Sequence, residues 1–135
     1  MVIAYQRRYR IAKSLFEKLK VGKLVYHVRK FEYPLHCSVV EYGVKRISKN
    51  RGKRMLAIQP ILSLNATPPG SVKMIVDGED LEVTEFDGMW CETLSHAFDY
   101  IDLSLREDLK FIDYQLQKLL ERQTTYNAEL KKWQR

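Results

Sequence analysis

Apolar and polar positions alternate in three ways along this chain, and each predicts a different kind of element. Between residues 2 and 20, VIAYQRRYRIAKSLFEKLK, apolar or aromatic residues recur at Ala4, Ile11, Leu15 and Leu19, with Tyr5, Ala12 and Phe16 beside them. Arg7, Arg10, Lys13 and Lys20 lie mostly on the other side. This spacing predicts a basic amphipathic helix over residues 1–21, stopped at Gly22, where glycine accepts the left-handed conformation that ends helices.

After Gly22 the period shortens to two. KLVYHVRKF (23–31) alternates and is rich in Val and Tyr, which predicts a strand with one buried side, broken at Tyr33-Pro34. Two long strands, 37–47 and 53–62, are expected around the turn Lys49-Asn50-Arg51-Gly52, in which Asn and Gly tolerate positive φ. NATPPG (65–70) reads as a loop, because Pro68 and Pro69 cannot both join a ladder. VKMIV and LEVTEF flank Asp77-Gly78, a strong hairpin signal. Asp87-Gly88 turns, 89–94 is expected as a short strand, and 98–101 reads as either a strand or a helical turn.

The third pattern is a heptad. Ser104-Leu-Arg-Glu107 has the form of a capping box and predicts a helix start. Beyond it Leu105, Leu109, Ile112, Leu116, Leu119, Gln123, Tyr126, Leu130 and Trp133 follow in alternating steps of four and three, with Gln123 the one polar member. A helix of about 30 residues would be about 45 Å long at its ordinary rise, more than a small barrel covers. Its far end needs a partner. With Leu109 at heptad position a, Gln123 also falls at a, where a polar residue fixes register at a cost in stability. In a parallel in-register dimer Asp108 would face Asp113, so that arrangement is disfavoured. A homodimer through residues 105–133 in antiparallel form, packing on the N-terminal helix, and a foreign helix all stay open.

Charge sharpens this picture. The 135 residues carry a net +6, but residues 1–54 hold fifteen Lys/Arg against three acids, a net +12, and the rest is acidic. Six of the ten residues 45–54 are Lys45, Arg46, Lys49, Arg51, Lys53 and Arg54. With Arg7, Arg8, Arg10 and Lys13 they form the candidate surface for an anionic partner: DNA, RNA or an acidic protein surface. The plainer alternative is that these charges solvate a strand edge and balance the acidic half.

A chain of this length forms one domain with its own core, and its two cysteines, Cys37 and Cys91, are expected as free thiols in a cytoplasmic setting. No apolar run reaches the length of a membrane span. His36-Cys37 with Cys91 and His96 lacks the close ligand pairs of a zinc site. The acidic run Asp77, Glu79, Asp80, Glu82, Glu85, Asp87 and Glu92 lacks the spacing of a calcium loop and reads as a solvated face. No phosphate-binding glycine loop, nucleophile elbow or kinase signature occurs, so no catalytic residue, metal or cofactor is expected.

Val21-Gly22-Lys23-Leu24-Val25-Tyr26, followed by two long strands, a glycine turn and a closing segment that runs through a capping box into a helix, resembles small SH3-like barrels of the KOW and Tudor type. Short proteins of this build occur in bacteria and phages. The resemblance covers about 21–109 and implies a module that binds nucleic acid, transcription or translation machinery, or a protein tail. The expected fold class is α+β: a small antiparallel SH3-like β-barrel or curled sheet (22–103) flanked by the basic N-terminal helix (1–21) and the long C-terminal heptad helix (104–135). The function expected is that of a non-enzymatic accessory protein on nucleic acid or a nucleic-acid-associated protein. The alternative is an interaction module, such as a phage-encoded inhibitor of a host factor, acting through the C-terminal helix or an acidic surface.

Overall fold

In the computed structural model, which describes residues 6–32, 34–65, 73–79 and 88–134, the elements follow in this order: β1 (Gln6–Ala12), α1 (Lys13–Phe16), β2 (Leu24–Glu32), β3 (Leu35–Asn50), β4 (Lys53–Leu64), β5 (Lys73–Glu79), β6 (Met89–Cys91) and α2 (Leu94–Trp133). The class is α+β, as expected. The chain divides into two compact units, Met1–Asp99 and Tyr100–Arg135. All six strands belong to one sheet, in the order β1-β5-β4-β3-β2-β6. Every ladder is antiparallel except the parallel pair of β1 with β5.

The expected N-terminal helix is corrected. Residues 6–12 form a strand registered on β5 from Gln6↔Lys73 to Ala12↔Glu79, and among the described residues of 1–21 only Lys13–Phe16 is helical; residues 1–5 lie outside the described residues. Arg8-Tyr9-Arg10-Ile11 alternates polar with apolar, a period-two signal inside the apparent helical one. A helix takes most of its stability in a protein from packing its apolar face, whereas the ladder to β5 pairs the backbone of 6–12 along its whole length and still buries Ile11. The apolar positions keep their role in the new geometry, with Ile11, Leu15, Phe16 and Leu19 all buried.

The meander β2-β3-β4 forms where the alternation placed it. Its second turn is tighter than the sequence suggests, because Asn50 pairs with Lys53 and leaves only Arg51 and Gly52 in the loop. Their φ values of 52° and 78° are both positive, as a two-residue type I′ connection requires. Gly52 suits this backbone, and Arg51 accepts it despite its Cβ.

The hairpin expected at Asp77-Gly78 does not form. β5 runs through both residues, with Asp77 opposite Met55 of β4 and Arg10 of β1. Gly78 serves close packing instead of a turn: a Cβ there would come closer than 3.0 Å to the ring of Phe16. LEVTEF (81–86) and most of NATPPG lie outside the described residues.

One buried cluster unites Ile11, Leu15, Phe16, Leu19, Val25, Val40, Tyr42, Val44, Leu56, Ile58 and Trp90. Strands at the two ends of a flat six-stranded sheet would stand about 24 Å apart at the usual spacing of about 4.8 Å. Yet Ile11 of β1 and Trp90 of β6 share this cluster, and the two strands approach within 8 Å at their Cα atoms. The sheet is therefore curled. Among the described residues no ladder joins β1 to β6, so it is an open curled sheet, not a closed barrel.

The C-terminal helix starts ten residues earlier than its capping box suggests. Thr93 caps it: its hydroxyl accepts from the amide of His96 at 3.1 Å and its carbonyl from the amide of Ala97 at 3.1 Å. Residues 98–101 are helical and Ser104 lies inside the helix. At 40 residues α2 is about 60 Å long.

Candidate anionic-partner interface

The basic segment of the sequence becomes the distal arm of β3 and β4. Strand alternation sorts its charges. Lys49 pairs with Arg54 on the side that carries Ile47 and the buried Leu56, whereas Arg46, opposite Ala57, and Lys53, opposite Asn50, belong to the other side. Lys45 is the extra residue of a bulge, since Val44 pairs with Ile58 and Arg46 with Ala57. Without it the alternation would continue from Val44 to Arg46 on the inner side, and Ile47 and Lys49 would turn outward. Arg51 occupies the tip.

One of these cations is already committed. The Arg54 guanidinium donates to the carbonyl oxygens of Phe16 (3.3 Å), Glu17 (3.4 Å) and Leu19, and it lies over the Phe16 ring. These carbonyls end α1 and the turn after it, so Arg54 ties the arm to the core. The other five, Lys45, Arg46, Lys49, Arg51 and Lys53, are exposed and form no ion pair among the described residues. Lys13 is exposed on α1. Arg7, Arg8 and Arg10 are on β1, and their side chains lie outside the described residues.

A second aromatic and cationic group sits where β2 turns into β3, and nothing in the sequence pattern marked it. Phe31 and His36 stack with ring centroids 4.5 Å apart, Arg29 lies over Phe31 at 5.0 Å, and His36 Nδ1 is 3.0 Å from the Pro34 carbonyl oxygen. The β2–β3 register, which sets Phe31 opposite His36, brings them together.

Glu92 and Glu41 each bond a neighbouring side chain. Glu92 accepts from Lys23 at 3.1 Å and lies 3.9 Å from Lys18; the Lys23 hydrogen bond, then the charges of Lys23 and Lys18, hold its carboxyl below the usual range. Burial, and then the 2.9 Å hydrogen bond to Glu41, push the Tyr26 hydroxyl up. Burial likewise raises the Cys91 thiol. Both cysteines are free, Cys91 buried at the end of β6 and Cys37 half-buried on β3. His96 is exposed in the first turn of α2, and His36 is stacked on Phe31. Among the described residues no three His, Cys, Asp or Glu side chains gather as a metal site.

On α2 every residue in 109–133 is exposed. Leu109, Ile112, Leu116, Leu119, Tyr126 and Leu130 are between 47% and 62% accessible and Trp133 78%, with Gln123 exposed among them. Leu105, by contrast, is half-buried. None of the described helices is long and apolar enough to cross a membrane. Comparison with protein-family models, with curated proteins and with solved structures finds no match to the chain.

Proposed function

We propose that this chain is a non-enzymatic accessory protein that binds DNA, RNA or a nucleic-acid-associated acidic protein through the β3–β4 arm. The observation that carries the reading is the set of five exposed cations, Lys45, Arg46, Lys49, Arg51 and Lys53, without ion pairs among the described residues on a two-stranded ribbon. A ribbon of this width enters a major groove or straddles a backbone, and each cation set against a phosphate releases counterions. With charge on both sides of the ribbon and at its tip, the contact is with backbone charge and shape, not base identity. The sequence resemblance of residues 21–109 to small SH3-like modules implies the same class of ligand.

The test is reversal of three tip charges, Lys49→Glu, Arg51→Glu and Lys53→Glu, followed by titration of mixed-sequence duplex DNA and single-stranded RNA across a salt series. Removing up to three phosphate contacts lowers the slope of log K against log salt by up to about 2.7. If the unmodified chain binds neither polymer at low salt, the reading fails.

A second reading, an interaction module acting through α2, is favoured by the fully exposed seam of residues 109–133. Binding of that kind survives the three charge reversals.

A further inference from the structure

We propose that α2 pairs with α2 of a second copy of this chain, antiparallel, in the register that sets Leu109 over Trp133 and brings Leu120 beside Leu120 across the twofold axis. The inference concerns assembly and does not rest on what the arm binds.

The free seam begins at Leu109, because Leu105 and Asp108 are half-buried while every residue in 109–134 is exposed. It ends at Trp133, the last residue of the helix. An antiparallel pair sets a positions against d positions. Pairing the first free seam residue with the last yields Leu109 with Trp133, Ile112 with Leu130, Leu116 with Tyr126 and Leu119 with Gln123, each formed twice. All eight seam positions find a partner, and no buried residue must be released. About three and a half heptads are engaged, within the range that sustains a coiled coil.

Flanking positions agree with this register. Leu120 is 61% accessible although it lies off the seam at e, and here it meets its own copy at the centre of the pair. Gln115 faces Glu129 and Asp113 faces Asn127, so no carboxylate meets another. Sliding the pair by one heptad toward the helix start brings Asp108 to Glu129, and by two brings Asp113 to Asp113; sliding it by one heptad the other way leaves Leu109 and Ile112 of each helix without a partner. The parallel pair sets Asp108 against Asp113 twice. The one like-charge meeting in the proposed register is Arg122 with Arg122, and each already lies 5.6 Å from the ring of Tyr126 in its own helix.

Charge along the chain favours the same orientation and the same kind of partner. Residues 1–99 carry sixteen Lys/Arg against eleven acids, a net +5, whereas residues 100–135 carry seven against six, a net +1. A nearly neutral helix does not repel its copy. Two segments of +5 at the same end of a parallel pair repel, and the antiparallel pair starts them from opposite ends.

Sedimentation equilibrium of the full chain is expected to give twice the 16.0 kDa chain mass. Leu116→Lys with Leu119→Lys halves that mass. Gln123→Leu lowers the dissociation constant at least tenfold, a gain that loss of folding cannot mimic. Orientation is read with Leu120→Cys and a short bismaleimide, using the unmodified chain as the control for Cys37 and Cys91. A crosslinked dimer is expected, since e faces e only when the helices are antiparallel. A monomer at every concentration up to the solubility limit overturns the proposal, and so does a dimer whose Leu120→Cys chains stay unlinked.

Discussion

The guanidinium of Arg54 donates to the carbonyl oxygen of Phe16 at 3.3 Å and lies 5.4 Å from the centre of the Phe16 ring. Residues 38 positions apart are thereby clamped by charge, hydrogen bond and packing at once.

Arg54→Ala is therefore expected to lower stability by about 1.5–3 kcal/mol, the range for hydrogen bonds made by a charged group. Arg54→Lys recovers little of it, since an ammonium cannot reach three carbonyls in the guanidinium's fork geometry. Lys49→Ala, on the cross-strand neighbour, is expected within about 0.5 kcal/mol of the parent. Urea unfolding midpoints at constant slope distinguish the three, and equal losses for Arg54→Ala and Lys49→Ala would remove Arg54 from the core's support.

Gly78 and Phe16 are expected to be coupled. Adding a methyl group at Gly78 forces the Phe16 ring to move, and overpacking of this kind costs about 1–3 kcal/mol. In a Phe16→Leu background the same Gly78→Ala change should cost far less. A double-mutant cycle by chemical denaturation reads the difference, and strict additivity of the two changes would show that Gly78 is there for its backbone alone.

Glu92 makes stability depend on acidity in a defined direction. Its folded carboxyl titrates lower than in the unfolded chain, chiefly through the Lys23 hydrogen bond. Its contribution is thus present above the unfolded carboxylate range and is lost as pH falls through the folded value. Glu92→Gln is expected to be less stable than the parent at neutral pH and to converge with it in acid, with the gap narrowing as salt rises. Thermal unfolding at several pH values and two ionic strengths checks this. A gap that persists below the carboxylate range would assign the loss to packing instead.

Much of the architecture was legible because some segments carry their instructions locally. The alternation in 23–31 and the paired apolar runs around a Gly turn specify β2, β3 and β4, whose partners are neighbours in sequence. The seam from Leu109 to Trp133 was legible for a similar reason, since a helix takes all its backbone hydrogen bonds from within itself. The basic segment was visible too. What stayed hidden in it was the division of labour among its six cations, because the sequence does not show that the carbonyls of Phe16, Glu17 and Leu19 come to Arg54.

Two misreadings share one cause. Residues 6–12 and the Asp77-Gly78 pair each carry a local signal, a helical period and a turn, that points away from a strand. Both join strands through remote partners: Gln6 pairs with Lys73 and Ala12 with Glu79 across more than sixty intervening residues, and Asp77 also pairs with Met55. By itself, the sequence determined the central meander, the long helix with its apolar seam and the concentration of positive charge in the first half. Only the tertiary structure decided that residues 6–12 are a strand, that Gly78 makes room for Phe16, that Arg54 belongs to the core's support and that α2 begins at Leu94, capped by Thr93. Those outcomes depend on groups remote in sequence satisfying one another's hydrogen bonds and filling one another's space, which no local period encodes.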